Sequence, residues 1–382
     1  MSKLKLVVLD ANYYWTEQLF STCHSFADVL LLRPIDFRAF YSKYGHCRSD
    51  RHPQLLTEGI WEQRICCPPG WLFQYWFLTR RFLAHLIRQF QGDQSLIFVF
   101  NYPYYHTLTR CLNAYSIYYN IDDYREYWKG REQQTPLVEQ QAIAHANLTL
   151  CVAEYRAQFL KTLCPAQADR IAYLPHGCTP DFMVEQPLHI PRPLPQPLST
   201  YTRPIAGYIG ALSDRFDFTY LAQVAEQLPD VTFLLGGQRP KSTDGSADWW
   251  QGVERVQRLQ NVHFIGFVPH ERLGEYLQSF DVLLIPYSLC NFNLNACPTK
   301  LWDYMGTSLP IVANSVVPEV RQWEHVIHIA EDPGEFVQKL GRALANPAWK
   351  AQERLDIAQA HTWTQQGKKL KQLLVEHECP IP

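Results

Sequence analysis

The stretch of sequence that decides the fold spans residues 264–314, FIGFVPHERLGEYLQSFDVLLIPYSLCNFNLNACPTKLWDYMGTSLPIVAN. It holds short, unbroken apolar runs, among them VLLI at 282–285 and IVA at 311–313, and helical segments lie between them. Unbroken apolar strands bounded by helices are typical of parallel sheets that are covered on both faces. This stretch therefore predicts a doubly wound α/β domain.

The same alternation extends through the whole chain and predicts two such domains. Apolar runs occupy residues 4–9, 29–32, 96–100, 116–119, 148–152 and 171–174 in the first half, and 205–209, 232–235, 262–265, 282–285, 311–313 and 326–329 in the second. Between the halves, residues 184–204 carry six prolines, which exclude a helix or a central strand and predict an extended linker. We therefore expect two Rossmann-like domains, at 1–183 and 205–360, that face each other across a cleft.

Length, charge and cysteine spacing limit the class of protein. The 382 residues suit two domains, and 35 Lys plus Arg against 37 Asp plus Glu leave a net charge of −2. Because nucleic-acid-binding proteins normally carry a clear basic excess, we expect no nucleic acid as partner. The 11 cysteines show no CxxC and no zinc-like spacing, which predicts reduced thiols in a cytoplasmic protein. The chain shows neither a signal-peptide pattern nor a run of about 18 apolar residues that could span a membrane.

Residues 298–303 suggest an anion site at the start of a helix. Pro298 suits the first turn, because its missing N–H is no loss there, and Thr299 and Lys300 follow it. The amides and the positive end of such a helix attract a phosphate, and Lys300 adds a cation. Asp303, one turn later, is placed to accept hydrogen bonds from ribose hydroxyls. The alternative is a capped surface helix with a solvated lysine.

The order of several motifs resembles retaining GT-B glycosyltransferases, the group often called family 4. FIGFV, DVLLIPY and PTKLWDYMGTSLPIVAN follow one another as in the nucleotide-sugar-binding half of that group, and GYIGALSDRFDFTYL and VTFLLGG are similar to its opening. In the first half, ANLTLCVAEYRAQFLKTL and IAYLPHGCTPDF look like the same group. The resemblance covers roughly residues 96–375, extends to a branch that builds bacterial polysaccharides, and implies the two-domain GT-B architecture.

The resemblance implies a hexosyl- or related glycosyltransferase that moves a sugar from a nucleotide-sugar donor to a hydroxyl acceptor with retention of configuration. The acceptor would be a glycan, a lipid-linked glycan or a small molecule, and no cofactor is implied. The chain has no Asp-x-Asp pair to hold a metal, so stabilising the leaving diphosphate falls to Lys300, Arg215 and the amides near Thr299. Metal-independent transfer is therefore predicted.

The resemblance also assigns donor-binding residues and shows departures. Many relatives carry two glutamates eight residues apart where this chain has Asn295 and Asp303, and an arginine where it has Ala211. The glycine-rich loop usual after the first strand is missing from DANYYWTEQ at 10–18. These departures motivate a second hypothesis, a catalytically silent GT-B protein that binds a ligand or partner. The implied donor-binding residues are Gly210, Arg215, Gly236, Asn295, Pro298, Thr299, Lys300 and Asp303.

Three residues of the first half are candidates for the acceptor side. Asp122 and Asp123 follow the strand at 116–119 and resemble an acidic element that relatives carry at the cleft edge. Adjacent carboxylates at a strand end can orient an acceptor hydroxyl or take up its proton. His106, after the strand at 96–100, is the second candidate. The alternatives are a helix cap with a solvated acid for the aspartates and a structural histidine for His106.

Two further segments bear on membrane contact and on domain coupling. WLFQYWFLTRRF at 71–82 mixes aromatic residues with paired arginines, which predicts either an interfacial membrane helix or a core-packing helix with a basic edge. The first interpretation implies peripheral contact with the inner membrane surface. At 361–382, leucines recur at helical spacing. We expect this helix to cross back to the first domain, as in GT-B relatives; the alternative is that it packs on its own domain.

Overall fold

The computed structural model describes residues 4–128, 130–188, 190–241 and 245–381, and they form two compact units. The first unit comprises Met1–His176 together with Trp363–Pro382, and the second comprises Gly177–Thr362. Each unit contains one mainly or wholly parallel sheet with helices, so the predicted doubly wound α/β class is confirmed.

The strands and helices alternate along most of the chain. The strands are β1 Leu4–Leu9, β2 Ala27–Asp36, β3 Gln54–Thr57, β4 Ile60–Cys67, β5 Leu96–Phe100, β6 Tyr115–Asn120, β7 Leu148–Cys151, β8 Ile171–Tyr173, β9 Ile205–Ile209, β10 Thr232–Gly236, β11 Val262–Gly266, β12 Val282–Ile285, β13 Ile311–Asn314 and β14 His328–Ala330. The helices are α1 Tyr14–Ser21, α2 Phe37–Tyr44, α3 Trp76–Gln91, α4 Thr135–His145, α5 Glu154–Leu163, α6 Phe218–Gln227, α7 Ala247–Gln257, α8 Leu273–Leu277, α9 Asn291–Leu294, α10 Thr299–Gly306, α11 Pro318–Arg321, α12 Pro333–Ala345, α13 Ala351–Ala360 and α14 Trp363–Glu376.

The sheet of the first unit has the strand order β3-β4-β2-β1-β5-β6-β7-β8, and all neighbours are parallel except β3 and β4. The chain moves outward from β1 to β2 and β4 on one side, and from β5 to β8 on the other. The direction of winding therefore reverses between β1 and β5, and ligands of such sheets bind at the carboxyl ends of the strands beside this point.

The sequence analysis did not predict β3 and β4. Polar residues at 62–64 interrupt the apolar pattern of β4, and every residue of β3 is exposed. A strand near the edge of a sheet needs no unbroken apolar run, because it is covered less completely than a central strand. The edge of the first sheet therefore carries no clear sequence signal.

The sheet of the second unit is wholly parallel, with the order β11-β10-β9-β12-β13-β14. The apolar run that forms β12 is fully buried, as its unbroken pattern predicts. Winding reverses between β9 and β12, which places the ligand crevice at the ends of these two strands. Asp217 starts α6 by accepting the N–H of Tyr220 at 2.8 Å, and Asp332 starts α12 by accepting that of Glu335 at 2.8 Å.

The proline-rich segment 184–204 belongs to the second unit instead of forming a free linker, and the boundary between the units follows His176. The segment is hydrogen-bonded to that unit despite its prolines. Val184 N donates to Gly306 O at 3.0 Å, and Arg192 N donates to Gln278 O at 2.8 Å. The residues between the prolines keep their N–H groups, and these hold the segment against the unit.

The last helix, α14, belongs to the first unit. Its leucines at 370 and 374 are fully buried, and Gly367 lies so close to Thr22 that a Cβ there would be 2.2 Å from Thr22 Oγ1. A glycine at this position lets α14 approach the segment after α1. The amphipathic pattern of the terminal residues is therefore buried within the first unit.

Helix α3 begins at Trp76, and residues 71–75 form turns instead of a helix. One face of α3 packs inward through Leu83, Ala84 and Ile87, which are buried. Within the described residues, no helix is both long and apolar enough to cross a membrane.

Candidate functional site

Glycines line the carboxyl ends of β9 and β10. Gly210 N donates to Gly236 O at 2.9 Å, which joins the two strand ends. A Cβ on Gly237 would lie 2.1 Å from Gly210 O, so that only glycine fits beside Gly210. Because glycines carry no side chain, a ligand can approach the backbone at the strand ends closely.

Lys300 lies over this glycine turn. A Cβ on Gly210 would be 2.9 Å from Lys300 Nζ. The ammonium donates to Tyr287 Oη at 2.7 Å and to Tyr208 Oη at 3.3 Å, and it lies 4.7 to 5.1 Å from the two ring centroids. Because Tyr208 is in β9 and Tyr287 follows β12, the cation is held at the point where the winding of the sheet reverses.

Lys300 is the second residue of α10, whose start therefore lies beside the same glycine turn. Pro298 precedes the helix with φ −65° and ψ 118°, and no side chain caps it. Pro298 is buried and Thr299 is half-buried. The first-turn amides and the positive end of the helix dipole suit an anion here, with Lys300 supplying a full charge.

Arg215 and Asn295 hold the segments around this edge. The Arg215 guanidinium lies 3.1 Å from the centroid of the Phe292 ring, and Arg215 O accepts Asn293 Nδ2 at 3.0 Å. Asn295 is buried, and its Nδ2 donates to Asn291 O at 2.8 Å. The loop after β9 is thus joined to the segment after β12.

Asp303 contacts the first residues of the second unit. The carboxylate is buried and accepts the N–H of Thr179 at 3.1 Å. Burial raises the pKa of Asp303 to about 7, although the Thr179 hydrogen bonds and the Lys300 charge lower it. A ribose contact remains a prediction for this residue.

In the first unit, Asp123 is part of a buried ion-pair cluster. Arg125 Nε donates to Asp123 Oδ1 at 2.8 Å, and Arg156 Nη1 lies 3.8 Å from Asp123 Oδ2. Burial alone would raise the pKa of Asp123, but the hydrogen bonds from Arg125 and the charge of Arg156 outweigh it and lower the pKa. Asp123 also accepts the N–H of Arg125 at 3.2 Å, the capping arrangement of a short 3₁₀ turn.

The two other acceptor candidates have different surroundings. Asp122 Oδ2 accepts the hydroxyl of Tyr127 at 2.5 Å. His106 is buried, and its Nδ1 donates to Pro103 O at 2.9 Å. Burial lowers the pKa of His106, so that the neutral ring is favoured.

The structure adds site residues that the sequence analysis missed. Tyr208 and Tyr287 hold Lys300, and Asp10 and Asn101 follow β1 and β5 at the reversal point of the first sheet. The available signal was position, since each polar side chain lies directly beside the end of a buried strand. Among the residues that the structure describes, no group of three or more His, Cys, Asp or Glu side chains could hold a metal ion.

A comparison with family models matches part of the second unit. Residues 203–346 match the family model described as glycosyl transferases group 1. The matched stretch contains the sheet of the second unit together with Lys300 and α10.

Two curated relatives are similar to parts of the chain. TuaH of Bacillus subtilis (strain 168), provisionally named a teichuronic acid biosynthesis glycosyltransferase, is 26% identical over 169 residues, which are 42% of this chain and 40% of TuaH. The O-antigen chain mannosyltransferase B of Escherichia coli is 22% identical over 263 residues, 66% of this chain and 67% of that protein. The chain thus spans well under half the length of TuaH.

A solved structure covers the whole chain. HepE (Alr3699) of Anabaena, solved in complex with UDP-glucose, superposes with a TM-score of 0.68 over 98% of this chain and 100% of HepE, at 13% sequence identity. Likeness at this identity shows the fold alone, and that fold is GT-B. The family match, the two relatives and the GT-B fold together support a group 1 glycosyltransferase.

Proposed function

We propose that the protein moves a sugar from a nucleotide-sugar donor to a hydroxyl acceptor, with retention of configuration and without a metal. The single observation that supports this most is the position of the Lys300 ammonium over Gly210 at the reversal point of the second sheet. A half-buried cation that lies beside a glycine turn and the start of a helix suits a diphosphate. The UDP-glucose bound by HepE favours a UDP-sugar donor and a hexosyl transfer.

The donor diphosphate would lie beside Lys300 and the turn formed by Gly210 and Gly236. The glycines permit the phosphates to approach the backbone, and the first-turn amides at Thr299 and beyond donate to them. Arg215, on the neighbouring loop, adds a second cation, and Asp303 is proposed for the ribose. In this proposal Pro298 and Asn295 shape the loop that precedes α10.

Charge develops on the diphosphate as the bond to the sugar breaks. Preorganised cations and amides stabilise such charge without the reorganisation that solvent would need. Lys300, Arg215 and the start of α10 are proposed for this role, so no step of the proposed reaction requires a metal. Retention is carried over from the resemblance of the motifs at 205–314 to retaining transferases.

On the acceptor side, we propose that Asp122 contacts a hydroxyl of the acceptor. Its partner Tyr127 Oη is itself a hydroxyl, which an acceptor hydroxyl can replace. Asp123 is held by Arg125 and Arg156, and His106 is held by Pro103, so these two are proposed to position the strand ends around the acceptor.

A lipid-linked acceptor and a peripheral membrane contact belong to the same proposal. At the start of α3, Tyr75, Phe77, Leu78 and Phe82 are 45 to 64% exposed, and the Arg81 guanidinium lies 4.2 Å from the Phe77 ring centroid. Residues 63–92 contain four arginines and no acidic residue. Exposed aromatic rings with interspersed cations suit the surface of an anionic bilayer. Phe77→Glu should abolish co-sedimentation with phosphatidylglycerol vesicles, whereas Leu55→Glu, on exposed β3, should not.

Release of nucleoside diphosphate from a panel of nucleotide sugars tests the proposed activity. We expect release with one donor and stimulation by sugar acceptors. The second hypothesis, a catalytically silent binding protein, draws on Asn295, whose amide is bonded to Asn291 O where relatives carry an acid. No release and no thermal shift with any nucleotide would refute the transferase and support that hypothesis.

A further inference from the structure

Two polar residues flank the reversal point of the first sheet. Asp10 directly follows β1, and Asn101 directly follows β5, its neighbour in the sheet. Asn101 Nδ2 donates to Asp10 O at 3.2 Å, which couples the two strand ends. In open α/β sheets, the crevice between such strand ends is where ligands bind.

Asp10 is held in an unusual conformation. Its φ of 63° lies in the left-handed region, which non-glycine residues seldom adopt outside tight turns and functional sites. Asp10 N donates to Leu32 O at 2.9 Å, and Tyr105 Oη donates to Asp10 Oδ2 at 2.9 Å. Asn12 Nδ2 contacts the other carboxylate oxygen, and Asn12 is exposed. The Asp10 carboxylate is therefore buried, but the Asn12 side chain that contacts it belongs to an exposed residue.

Asn101 supplies an independent indication of a ligand. The residue is 1% exposed, and its Oδ1 is buried without a hydrogen-bond partner among the described residues. The hydroxyls of Tyr104 and Tyr124 are likewise buried and unpartnered there. Buried acceptors are nearly always paired in native proteins, so an oxygen of this kind beside a strand end calls for a donor from outside the chain.

Aromatic rings pack around the residue that follows Asn101. Tyr102, the residue after Asn101, packs edge-on against Tyr105 at 5.7 Å, Tyr124 at 5.2 Å and Trp128 at 5.4 Å between ring centroids. Tyr102 Oη also lies 2.5 Å from Tyr13 Oη. Aromatic rings beside a few convergent polar groups suit a ligand that has both an apolar face and hydroxyl groups.

The charges around Asp10 disfavour an anionic ligand. The titratable groups that face the carboxylate are Arg33 from β2, Tyr102 and Tyr105 from the segment after β5, and Cys67 at the end of β4. Arg33 is the cation among these, and it is engaged by Glu17 at 2.8 Å and Glu62 at 2.9 Å. The site therefore favours a neutral hydrogen-bond donor over a phosphate or carboxylate.

We infer that Asp10 and Asn101 bind hydroxyl groups of a neutral sugar, which donates one hydrogen bond to Asn101 Oδ1 and another to the Asp10 carboxylate. The inference rests on the proposed function, because it assigns the acceptor subsite of that reaction to this pair. In this inference Asp10 acts as a binding residue, and the aromatic rings around Tyr102 contact the apolar face of the sugar.

Protonation of Asp10 should control binding. Burial raises the pKa of Asp10 to about 6, although Tyr105, Asn12 and Arg33 lower it. Above this pH the carboxylate accepts the sugar hydroxyl, and below it the protonated oxygen loses its acceptor strength. Sugar binding should therefore weaken as the pH falls through about 6.

The test uses the full chain and p-nitrophenyl glycosides of glucose, galactose and mannose, first as binding probes in saturation-transfer NMR and then as acceptors. Asp10→Asn and Asn101→Ala should each weaken glycoside binding roughly tenfold or more, and Asp10→Asn should remove the pH dependence. Asp93→Asn, on an exposed loop before β5, is the matched control and should behave as wild type.

The outcomes separate this inference from the proposed function. Glycoside binding that responds to Asp10→Asn, with no transfer from any donor, supports the site and refutes the transferase. Transfer with an unchanged acceptor KM in both variants refutes the site and keeps the transferase. Failure of wild type to bind any of the glycosides also overturns the inference.

Discussion

Replacing Lys300 by methionine tests the donor site most directly. The substitution removes the charge and keeps an unbranched side chain of similar length, so that packing between the Tyr208 and Tyr287 rings is retained. The two tyrosine hydroxyls lose a shared donor, but Tyr208 Oη keeps its hydrogen bond to Ala211 O at 3.0 Å. We therefore expect folding to survive and nucleotide binding to change.

The magnitude follows from the environment of the ammonium. Two unit charges about 4 Å apart attract by about 4 kcal/mol at the effective dielectric constant of a protein surface. Part of this is offset, because Lys300 already interacts with two hydroxyls at 2.7 and 3.3 Å that a phosphate would have to compete with. A charge-assisted hydrogen bond is worth about 1.5–3 kcal/mol net. The dissociation constant should rise about 10- to 150-fold.

The assay is calorimetric titration with UDP, GDP and ADP, and the comparison uses the nucleotide that wild type binds most tightly. Lys339→Met is the control, because Lys339 pairs with Glu335 along α12 and has no part in the proposed site. Gly210→Ala is a second test of Lys300, because the new Cβ would lie 2.9 Å from Lys300 Nζ and displace the ammonium. Unchanged diphosphate affinity in Lys300→Met would falsify the assignment.

Three further predictions concern Asp303, helix α14 and metals. Because the folded state raises the pKa of Asp303 from 3.8 to about 7, its stabilising contribution is fully present below about 4 and is lost as the pH rises through 7. Asp303→Asn should remove this pH-dependent loss of unfolding free energy, which is on the order of 4 kcal/mol. Urea midpoints of wild type and variant that run parallel from pH 4 to 8 would contradict this prediction. Gly367→Ala should lower the free energy of unfolding by about 1–3 kcal/mol, because the new Cβ meets Thr22, whereas Gly341→Ala in open space should raise it by about 0.5–1 kcal/mol. Transfer should persist in EDTA, and turnover restored only by Mg²⁺ or Mn²⁺ would overturn the metal-independent proposal.

The doubly wound class was predictable because its signal is local. The run that forms β12 is apolar at every position, which indicates a strand covered on both faces, and the same holds for β5. The start of α10 was also predictable, since proline is itself a boundary signal and Pro298 directly precedes the helix. Strand β4, next to the edge strand β3, was not, because its mixed residues at 62–64 match no single period.

The candidate site could be predicted only in part. The sequence placed Lys300 on the first turn of a helix and gave a reason for an anion there. It could not show that Tyr208 and Tyr287 hold the ammonium, because they are 92 and 13 residues away along the chain. The ribose contact of Asp303 stays a prediction, and its hydrogen bond from Thr179, 124 residues distant, has no local signal in the sequence. Each of these contacts depends on which strand ends lie side by side.

The sequence by itself therefore determined the class of fold, the position of the strands with unbroken apolar runs and the helix start at Pro298, since burial periodicity and turn chemistry act over a few residues. Tertiary structure alone decided that segment 184–204 packs on the second unit and that Asp10 meets Asn101 across two strands. The physical reason is that these contacts join residues that strand order brings together, and strand order is set by the packing of the whole sheet.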